Sequence, residues 1–337
     1  MSDGSNGRKV RWGIISSAKI ARNALVPAIT EAANAELLYV GTGNPERSRE
    51  NAERYGYRLL PSYEAILEQP EIDAVYNPLP NGLHAEWTIK ALEAGKHVLC
   101  EKPFTVYPHE VPAVVSAAEK AGRWLMEAFM YRFHPQMELA KSVLDSGRIG
   151  ALRFIRSSFT FNSAPDPTNP RFQAGQGPGA LLDVGCYCIN ATRFFSGDAP
   201  KAVTAWSTYH EESGGDLTTT GVLEYESHSG LFDCSFESFF RMGIEVVGSE
   251  GTIQLPKPWL PGRDPAVVRV TDQHGTEELT TEGVDQYRLM VEHFSDCILS
   301  NHAPVRGPED ALENMRVLEA IRRSAAERRR VTLDEIR

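Results

Sequence analysis

The sequence has no long uninterrupted apolar run. Among its 337 residues, no apolar stretch approaches the length of about 20 residues that a membrane-spanning helix needs. The first nine residues are polar and glycine-rich, without the apolar core of an export signal and without a twin arginine. We therefore expect no membrane association, and a loose tail at residues 1–9.

Clustered basic residues are also scarce. The formal net charge is -10, and the one run of arginines is at residues 328–330. Binding to nucleic acid requires a clustered basic face that neutralises phosphates. The composition therefore argues against a nucleic-acid partner.

Cysteine is infrequent and scattered. The five cysteines show neither a disulfide framework nor the spacing of a metal site, and none of the nine histidines belongs to an HxxxH or HxH pair. An odd, scattered set of cysteines is typical of a reducing compartment, so we expect a cytoplasmic protein without a metal. The cysteines are Cys100, Cys186, Cys188, Cys234 and Cys297.

Short apolar runs alternate with helical patterns in the first part of the chain. The length of 337 residues indicates about two domains. In residues 8–130, buried-strand patterns are separated by helical patterns of about ten to fifteen residues, which is typical of a doubly wound parallel sheet. We therefore predict an α/β protein whose N-terminal domain, residues 8–130, is a Rossmann dinucleotide-binding domain.

Residues 131–337 show a different pattern. One helix to about residue 146 is followed by β-rich runs with short glycine turns, which indicates an antiparallel sheet, and two helices at about 285–300 and 308–326 follow. We predict an α+β substrate-binding domain with a large open, mainly antiparallel sheet. Because such a sheet leaves one face to cover, we expect self-association through it. The predicted strands are residues 151–161, 201–209, 217–226, 230–240, 243–248, 251–255 and 267–271.

The first predicted strand ends in a turn of small residues. Residues 10–16 are an apolar run, residues 16–21 read Ser-Ser-Ala-Lys-Ile-Ala, and a helical pattern follows. This layout is typical of a dinucleotide-binding unit, in which the helix N-terminus receives the pyrophosphate. Ser16 and Ala18 replace the first two glycines of the G-x-G-x-x-G/A fingerprint, so an ordinary strand-to-helix turn stays open as the alternative.

The second predicted strand, residues 36–42, ends without an acidic residue. NAD-binding units usually place Asp or Glu there to bond the ribose 2′-hydroxyl, whereas this chain continues with Gly43 and Asn44. Arg47 and Arg49 follow in the next predicted helix, and arginine suits a 2′-phosphate. The segment therefore favours NADP over NAD. The alternative is that both arginines are solvated helix residues.

Residues 97–103, His-Val-Leu-Cys-Glu-Lys-Pro, form the most informative stretch. The first four residues have the pattern of a buried strand, and Glu101 and Lys102 follow directly. Ligands of open parallel sheets bind at the carboxyl ends of the strands. Pro103 restricts Lys102 to extended backbone conformations, which fixes the direction of the lysine. We interpret the charged pair as part of a substrate site, and the alternative is a surface salt bridge.

A glycine-rich loop, residues 175–179, precedes a predicted helix that runs to about residue 195. Asp183 and Tyr187 are four residues apart in this helix and therefore share one face. We expect this face to line a cleft. The alternative is that Asp183 caps the helix and Tyr187 packs in the core.

Four motifs together resemble the glucose–fructose oxidoreductase/inositol dehydrogenase/MocA family over essentially the whole chain. They are the turn at residues 16–21, Pro80-Asn81-x-x-His84, Glu101-Lys102-Pro103, and the segment 179–187 that ends in Tyr187. Many members carry histidine at this position. The tyrosine of this chain resembles the branch with NADP-dependent D-xylose dehydrogenase and dimeric dihydrodiol dehydrogenase. Members join a Rossmann domain to an open sheet domain that often dimerises, so the resemblance implies a homodimer or homotetramer formed through the sheet.

The resemblance also implies a set of cofactor-binding residues. Residues 16–20 would wrap the pyrophosphate, Glu101 and Lys102 would reach the nicotinamide ribose, and the Lys102–Pro103 bond is often cis in relatives. Gly43 stands where many NADP-using relatives have arginine. The predicted cofactor residues are Ser16, Ser17, Ala18, Lys19, Ile20, Gly43, Asn44, Arg47, Leu79, Pro80, Asn81, His84, Glu101 and Lys102.

The implied reaction is hydride transfer between a nicotinamide and a sugar or polyol, as in a D-xylose or aldose dehydrogenase. Tyr187 would lie near the nicotinamide C4, and Lys102 would also reach the substrate. Free tyrosine titrates near about pH 10, but a nearby ammonium and the oxidised nicotinamide favour the phenolate, so we predict Tyr187 as acid/base with Lys102 as its partner. Asp183 is the third catalytic candidate. The predicted substrate residues are Arg132, His134, Arg171 and Tyr287.

Other functions stay open. One is trans-dihydrodiol dehydrogenase, because Phe159, Phe161 and Phe172 offer an apolar wall, and another is a keto-sugar reductase. The family also includes NAD-dependent glycoside hydrolases, which cleave by oxidation and elimination. Lys102 and Tyr187 argue against a cofactor-sensing protein without catalysis, because a pure binder has no need of an acid/base pair.

Overall fold

The structure, a computed structural model, describes residues 7–336. Most of the predicted loose tail, residues 1–6, lies outside this range. Within the described residues, no helix is both long and apolar enough to cross a membrane.

Strands and helices alternate in the first part of the chain, and strands dominate the second part. One-turn π-helical segments, Ala21–Leu25 and Leu181–Gly185, each lead directly into an α-helix. The strands are β1 (Val10–Ile14), β2 (Ala35–Gly41), β3 (Arg58–Leu60), β4 (Ala74–Asn77), β5 (His97–Cys100), β6 (Leu125–Glu127), β7 (Leu152–Asn162), β8 (Ala202–Tyr209), β9 (Asp216–Glu224), β10 (Ser229–Ser235), β11 (Glu237–Gly248), β12 (Gly251–Leu255), β13 (Ala266–Asp272), β14 (Gly275–Thr281) and β15 (Val331–Thr332). The helices are α1 (Val26–Glu31), α2 (Arg49–Tyr55), α3 (Glu64–Leu67), α4 (His84–Glu93), α5 (Val111–Ala121), α6 (Pro135–Asp145), α7 (Cys186–Ser196), α8 (Gln286–Ser300) and α9 (Pro308–Glu327).

The first compact unit contains the described residues up to Thr105, Glu110–Phe133 and Asp285–Ala311. Its six strands form a parallel sheet in the order β3-β2-β1-β4-β5-β6, which confirms the predicted doubly wound Rossmann sheet. Strands that are buried on both faces are apolar along their length, as Trp12 and Val98 illustrate. The strand order reverses between β1 and β4, so the crevice that binds ligands in such sheets lies at the carboxyl ends of these strands.

Helix α8 belongs to this first unit, whereas the sequence analysis placed it in a second domain of residues 131–337. The indole Nε1 of Trp12 donates to Ser295 Oγ at 3.1 Å. The rings of Trp12 and Phe294 are 5.9 Å apart and both are buried. The amphipathic pattern predicted the helix itself, but such a pattern contains no information about which unit the apolar face will cover.

The second compact unit contains Val106–His109, His134–Val284 and the described residues from Leu312 onwards. Nine strands form one sheet in the order β14-β13-β12-β11-β7-β10-β9-β8-β15. The neighbouring pairs are antiparallel except for β7 and β10, which are parallel, so the predicted mainly antiparallel sheet is confirmed. Helix α7 packs on β7 and β10, and α6 packs on β12 and β13.

Strands β10 and β11 differ from the predicted strands at 230–240 and 243–248. One ends at Ser235, the next begins at Glu237, and the two lie on opposite sides of β7. The chain crosses the end of β7 at Phe236, whose carbonyl accepts a hydrogen bond from Ser163 at 2.8 Å. Strand β14 was not predicted, because its mostly exposed residues show no apolar alternation.

Candidate active site

The turn after β1 is closed by a serine hydroxyl. Ser16 Oγ accepts from the Ala18 N–H at 3.1 Å, and the Ala18 carbonyl accepts from the Arg22 N–H at 3.1 Å. A side-chain hydrogen bond therefore shapes the turn at the position of the first fingerprint glycine. Lys19 and Ile20 begin the helical segment that continues through Ala21–Leu25, and this segment provides the N-terminus to which a pyrophosphate binds in such units.

Hydroxyl groups and a cation surround the end of β2. The hydroxyls of Ser17 and Thr42 share a hydrogen bond of 2.8 Å, and Thr42 Oγ1 accepts from the Asn44 N–H at 3.0 Å. Arg22 Nε donates to the Ser17 carbonyl at 3.2 Å. Sequence reasoning missed Arg22, whose only signal was its place in the first turn after the fingerprint. A Cβ added at Gly43 would meet no atom within 4 Å, so there is open space at this strand end.

The two predicted arginines near β2 differ in their surroundings. Arg49 forms an ion pair with Glu46 at 2.5 Å, so its guanidinium is occupied on the surface. Arg47 is exposed in the short turn after β2. Two hydroxyls with Arg22 and Arg47 nearby suit an anionic 2′-phosphate, whereas a carboxylate suits the ribose 2′-hydroxyl of NAD. The residues present therefore fit NADP.

His84 connects two loops of the first unit. Its Nε2 lies 2.7 Å from the Leu79 carbonyl and its Nδ1 lies 2.7 Å from the Pro103 carbonyl. Burial lowers the pKa of His84 to about 4, although both carbonyls favour the protonated ring. The ring thereby links the predicted cofactor segment, which includes Pro80 and Asn81, to the loop that follows β5.

Glu101 and Lys102 follow β5 at the carboxyl edge of the sheet. Tyr76 donates from its hydroxyl to Glu101 Oε1 at 2.6 Å, and the Lys102 N–H donates to Glu101 Oε2 at 3.2 Å. The Lys102–Pro103 peptide is cis, as the resemblance implied. Glu101 is only 9% exposed, so this carboxylate is not part of an ordinary surface salt bridge.

Two further groups, both missed from sequence, shape this part of the first unit. Glu127 Oε1 accepts from the Phe104 N–H at 2.8 Å and so fixes the chain just after Pro103. Tyr76 is fully buried and aligns Glu101 from the neighbouring strand. The signal for both was their position at the carboxyl ends of β4 and β6, next to the end of β5.

Among the predicted substrate residues, Arg132 and Tyr287 lie in the first unit. Burial lowers the pKa of Arg132 to about 10, and Tyr131 opposes this shift. Burial raises the pKa of Tyr287, and the charges of Glu101 and Asp285 raise it further. The structure thus brings Tyr287 into the electrostatic field of Glu101.

His134 lies in the second unit as the N-cap of α6. Its Nδ1 accepts from the Gln136 N–H at 3.2 Å, and burial lowers its pKa. Among the described residues, its Nε2 has no hydrogen-bond partner. This histidine is therefore a buried helix cap, and its predicted contact with substrate stays a prediction.

Arg171, Asp183 and Tyr187 come together in the second unit. Arg171 Nε donates to Asp183 Oδ2 at 2.6 Å, and its Nη2 donates to Asp183 Oδ1 at 3.3 Å. The attraction of Asp183 raises the pKa of Arg171, and a negative charge on Tyr187 would raise it further. Arg171 lies outside the segment that contains Asp183 and Tyr187, and the structure thus pairs it with the carboxylate of that segment.

Tyr187 packs against two aromatic rings. Its ring centroid is 5.7 Å from those of Phe159 and Trp259, and the residue is 6% exposed. The Trp259 indole donates to the Ser158 carbonyl at 3.1 Å, which fixes its ring. Sequence reasoning missed Trp259, because it lies in a loop far from Tyr187 along the chain. The tyrosine therefore packs in the core, as the alternative proposed, and it is also within the electrostatic reach of Arg171.

The described residues contain no group of three or more His, Cys, Asp or Glu side chains placed to hold a metal ion. All five cysteines are buried thiols, and none of them is in a disulfide. Burial is the main cause that raises the pKa of Cys188, and the charge of Asp233 raises it further.

Comparison with known families identifies both parts of the chain. Residues 10–129 match an oxidoreductase family with an NAD-binding Rossmann fold, and residues 137–254 match the GFO/IDH/MocA C-terminal domain. A D-xylose 1-dehydrogenase (NADP(+)) of Haloferax volcanii is 35% identical over 327 residues, covering 96% of this chain and 99% of the relative. The chain belongs to the GFO/IDH/MocA family. It is therefore an NAD(P)-dependent oxidoreductase.

Other relatives of this GFO/IDH/MocA oxidoreductase act on different alcohols and ketones. A trans-1,2-dihydrobenzene-1,2-diol dehydrogenase of Xenopus laevis is 31% identical, covering 86% of this chain and 89% of the relative. The structure of KijD10, a 3-ketoreductase from Actinomadura kijaniata in complex with NADP and TDP-benzene, superposes with a TM-score of 0.89. It is 32% identical and covers 94% of this chain and 98% of that chain. The family and fold are thus shared by enzymes with different substrates.

Proposed function

We propose that this oxidoreductase transfers a hydride between NADP and a sugar or polyol, with aldoses such as D-xylose as substrates. The observation that carries the proposal is the group of Arg171, Asp183 and Tyr187 in the second unit. A guanidinium bonded to a carboxylate beside a phenol offers donors and acceptors to several hydroxyls at once. A hydroxyl-rich substrate uses such groups, whereas a hydrocarbon leaves them without partners.

In the proposed reaction, Tyr187 handles the proton. The bound nicotinamide supplies the hydride acceptor or donor. During oxidation the Tyr187 oxygen takes the proton of the substrate hydroxyl while the C–H hydrogen leaves as hydride, and during reduction it returns that proton. Lys102 is proposed as the electrostatic partner of Tyr187. Asp183 holds the guanidinium of Arg171 in place.

We propose NADP as the preferred cofactor. The support is the set of Ser17, Thr42, Arg22 and Arg47 around the end of β2, and the open space at Gly43. This set offers positive charge and hydroxyl donors to a 2′-phosphate. The named relatives that use NADP agree with the proposal.

A second candidate is a trans-dihydrodiol dehydrogenase. Phe159 and Trp259 lie against Tyr187, so an apolar ring could stack beside the acid/base group. The polar pair of Arg171 and Asp183 is less useful to such a substrate. The two candidate functions therefore predict different preferred substrates, aldoses for the first and dihydrodiols for the second.

The test is reduction of NADP by purified protein with D-xylose, other aldoses and trans-dihydrodiols, run in parallel with NAD. Turnover with an aldose and NADP supports the first proposal, and turnover with only dihydrodiols supports the second. Oxidation of NADPH by keto-sugars alone identifies a reductase. Release of a sugar from a glycoside without net NADPH would show the hydrolase activity and contradict the proposal.

We further propose a homodimer, or a tetramer built from such dimers, formed through the uncovered face of the nine-stranded sheet. Cross-strand ion pairs on this face join Arg241 to Asp233, and Arg269 to Glu278. Trp206 on the same sheet is 57% exposed. Charges of both signs suit a two-fold interface, in which one patch must complement itself. Sedimentation at micromolar concentration tests the proposal, and a monomeric mass contradicts it.

We propose the cytoplasm as the place of action. The five cysteines are buried thiols outside any disulfide, which agrees with a reducing compartment. Cell fractionation followed by detection of the protein tests this, and recovery from an oxidising compartment contradicts it.

A further inference from the structure

Asp216, the first residue of β9, binds the start of the segment that carries Asp183 and Tyr187. Its Oδ2 accepts hydrogen bonds from the Leu181 N–H and from Thr219 Oγ1, both at 2.8 Å. Asp216 is only 9% exposed, so these bonds are little screened by water. A buried carboxylate thus satisfies the first amide of the Leu181–Gly185 turn.

The carboxylate of Asp216 fits at this position because residue 179 is a glycine. The backbones of Gly179 and Asp216 form an isolated β-bridge, and Gly179 has a φ of +113°. A Cβ at this glycine would lie 2.1 Å from Asp216 Oδ1 and 2.7 Å from its backbone nitrogen. The carboxylate therefore occupies the volume that any other side chain at position 179 would need.

The same junction also holds Arg171. The Gly179 N–H donates to the Arg171 carbonyl at 3.1 Å, and the Asp183 N–H donates to the Gly179 carbonyl at 3.3 Å. Arg171 and Asp183 then meet again through their side chains. Asp216 therefore contacts Gly179, whose backbone is hydrogen-bonded to the backbones of both Arg171 and Asp183.

We propose that Asp216 is a positioning residue, which fixes Asp183, Arg171 and Tyr187 relative to one another through its contacts with Leu181 and Gly179. The inference rests on the proposed function of Tyr187 as acid/base. Asp216 acts through the backbone of this segment and not on the reacting atoms. It holds the helical segment in the orientation that the proton transfer needs.

A carboxylate at this position is not the choice that favours stability. Burial raises the pKa of Asp216 to about 6, so the charged form near neutral pH is held at a cost to folding. Asparagine would keep one acceptor oxygen for Leu181 and Thr219 without the buried charge. The variant Asp216→Asn therefore separates the role in positioning from a role in stability.

The test compares three variants with the wild-type chain. Asp216→Ala removes both hydrogen bonds and should lower kcat about tenfold or more, because an unmet buried amide shifts the segment. Its dissociation constant for NADP should stay within about twofold, since the predicted cofactor residues belong to the first unit. Asp216→Asn should restore kcat to within about threefold. Thr219→Val removes the second bond to the same oxygen, together with the bond that Thr219 Oγ1 shares with Ser207 Oγ, and leaves the bond from Leu181 in place. It is the matched control, with kcat within about twofold.

Amide exchange gives a result that does not depend on the reaction. In protein without substrate, the amides of residues 181–187 should exchange about tenfold faster in Asp216→Ala and at the wild-type rate in Thr219→Val. If Asp216→Ala does not fold, Asp216→Ser takes its place with the same expectations. Unchanged exchange at 181–187 overturns the proposal, and so does a kcat within about twofold of wild type in a folded variant.

The two proposals fail in different ways. Full activity in Tyr187→Phe would refute the acid/base role of Tyr187. Faster amide exchange in Asp216→Ala would still show that Asp216 holds residues 181–187 in place. Loss of activity in Tyr187→Phe with no effect of Asp216→Ala would support the acid/base role of Tyr187 and overturn the positioning role of Asp216.

Discussion

Removal of one oxygen atom from Tyr187 tests the proposed chemistry. Tyr187→Phe keeps the ring, so the contacts at 5.7 Å with Phe159 and Trp259 remain. The free energy of unfolding should therefore change by no more than about 1 kcal/mol. The reaction, in contrast, loses the group that takes the substrate proton. General acid–base catalysis contributes about 10²–10⁴-fold, which corresponds to about 3–5 kcal/mol of barrier.

The assay measures kcat for NADP reduction with the best aldose, the dissociation constant for NADP and the melting temperature. We expect kcat to fall about 10²–10⁴-fold with both other quantities close to wild type. Tyr225→Phe is the matched control in the same unit, because it also removes a buried tyrosine hydroxyl while it keeps the ring, which stacks on His228 with the ring centroids 4.4 Å apart. Its kcat should equal that of the wild type.

Two results would refute the acid/base role. One is a Tyr187→Phe enzyme that keeps more than about a tenth of the wild-type kcat, because general acid–base catalysis typically contributes about 10²–10⁴-fold. The other is an equal loss in Tyr225→Phe, which would show that activity responds to any lost tyrosine hydroxyl. A normal melting temperature in both variants excludes unfolding as the cause.

Three further predictions follow from the described contacts. Gly43→Asp places a carboxylate in open space, so it should lower kcat/KM with NADP about tenfold or more and improve NAD; an unchanged ratio of the two contradicts the 2′-phosphate site. Asp183→Asn removes the charge that holds Arg171, so kcat/KM for the sugar should fall about 10–100-fold with little change in melting temperature, because Arg171 is 46% exposed; a wild-type value contradicts the role. Burial lowers the pKa of His84 from 6.5 to about 4, so the folded state binds fewer protons than the unfolded state between these values. Its contribution is complete above about pH 6.5 and is lost as the pH falls to about 4, by up to about 3 kcal/mol in urea unfolding. His84→Gln should remove this slope, and a stability that rises on acidification would show that the two carbonyls hold a charged ring instead.

Local patterns determined the Rossmann unit. The central parallel strands β1, β4 and β5 are almost entirely buried and therefore appear as short apolar runs, which the sequence displays directly, as at residues 97–100. The turn at Ser16 and the charged pair after β5 follow such runs immediately, so their places at the carboxyl edge were predictable. The spacing of Asp183 and Tyr187 likewise predicted a shared helical segment, because four residues make about one turn.

Tertiary structure decided what no local pattern records. Helix α8 covers the first unit because Trp12 and Ser295 meet, although they are far apart in the chain. Trp259 reaches Tyr187 from a loop, and Asp216 reaches Leu181 from the start of a strand. Each of these contacts depends on which elements pack together, and burial selects those partners by shape and hydrogen bonding over the whole chain rather than by periodicity within one segment.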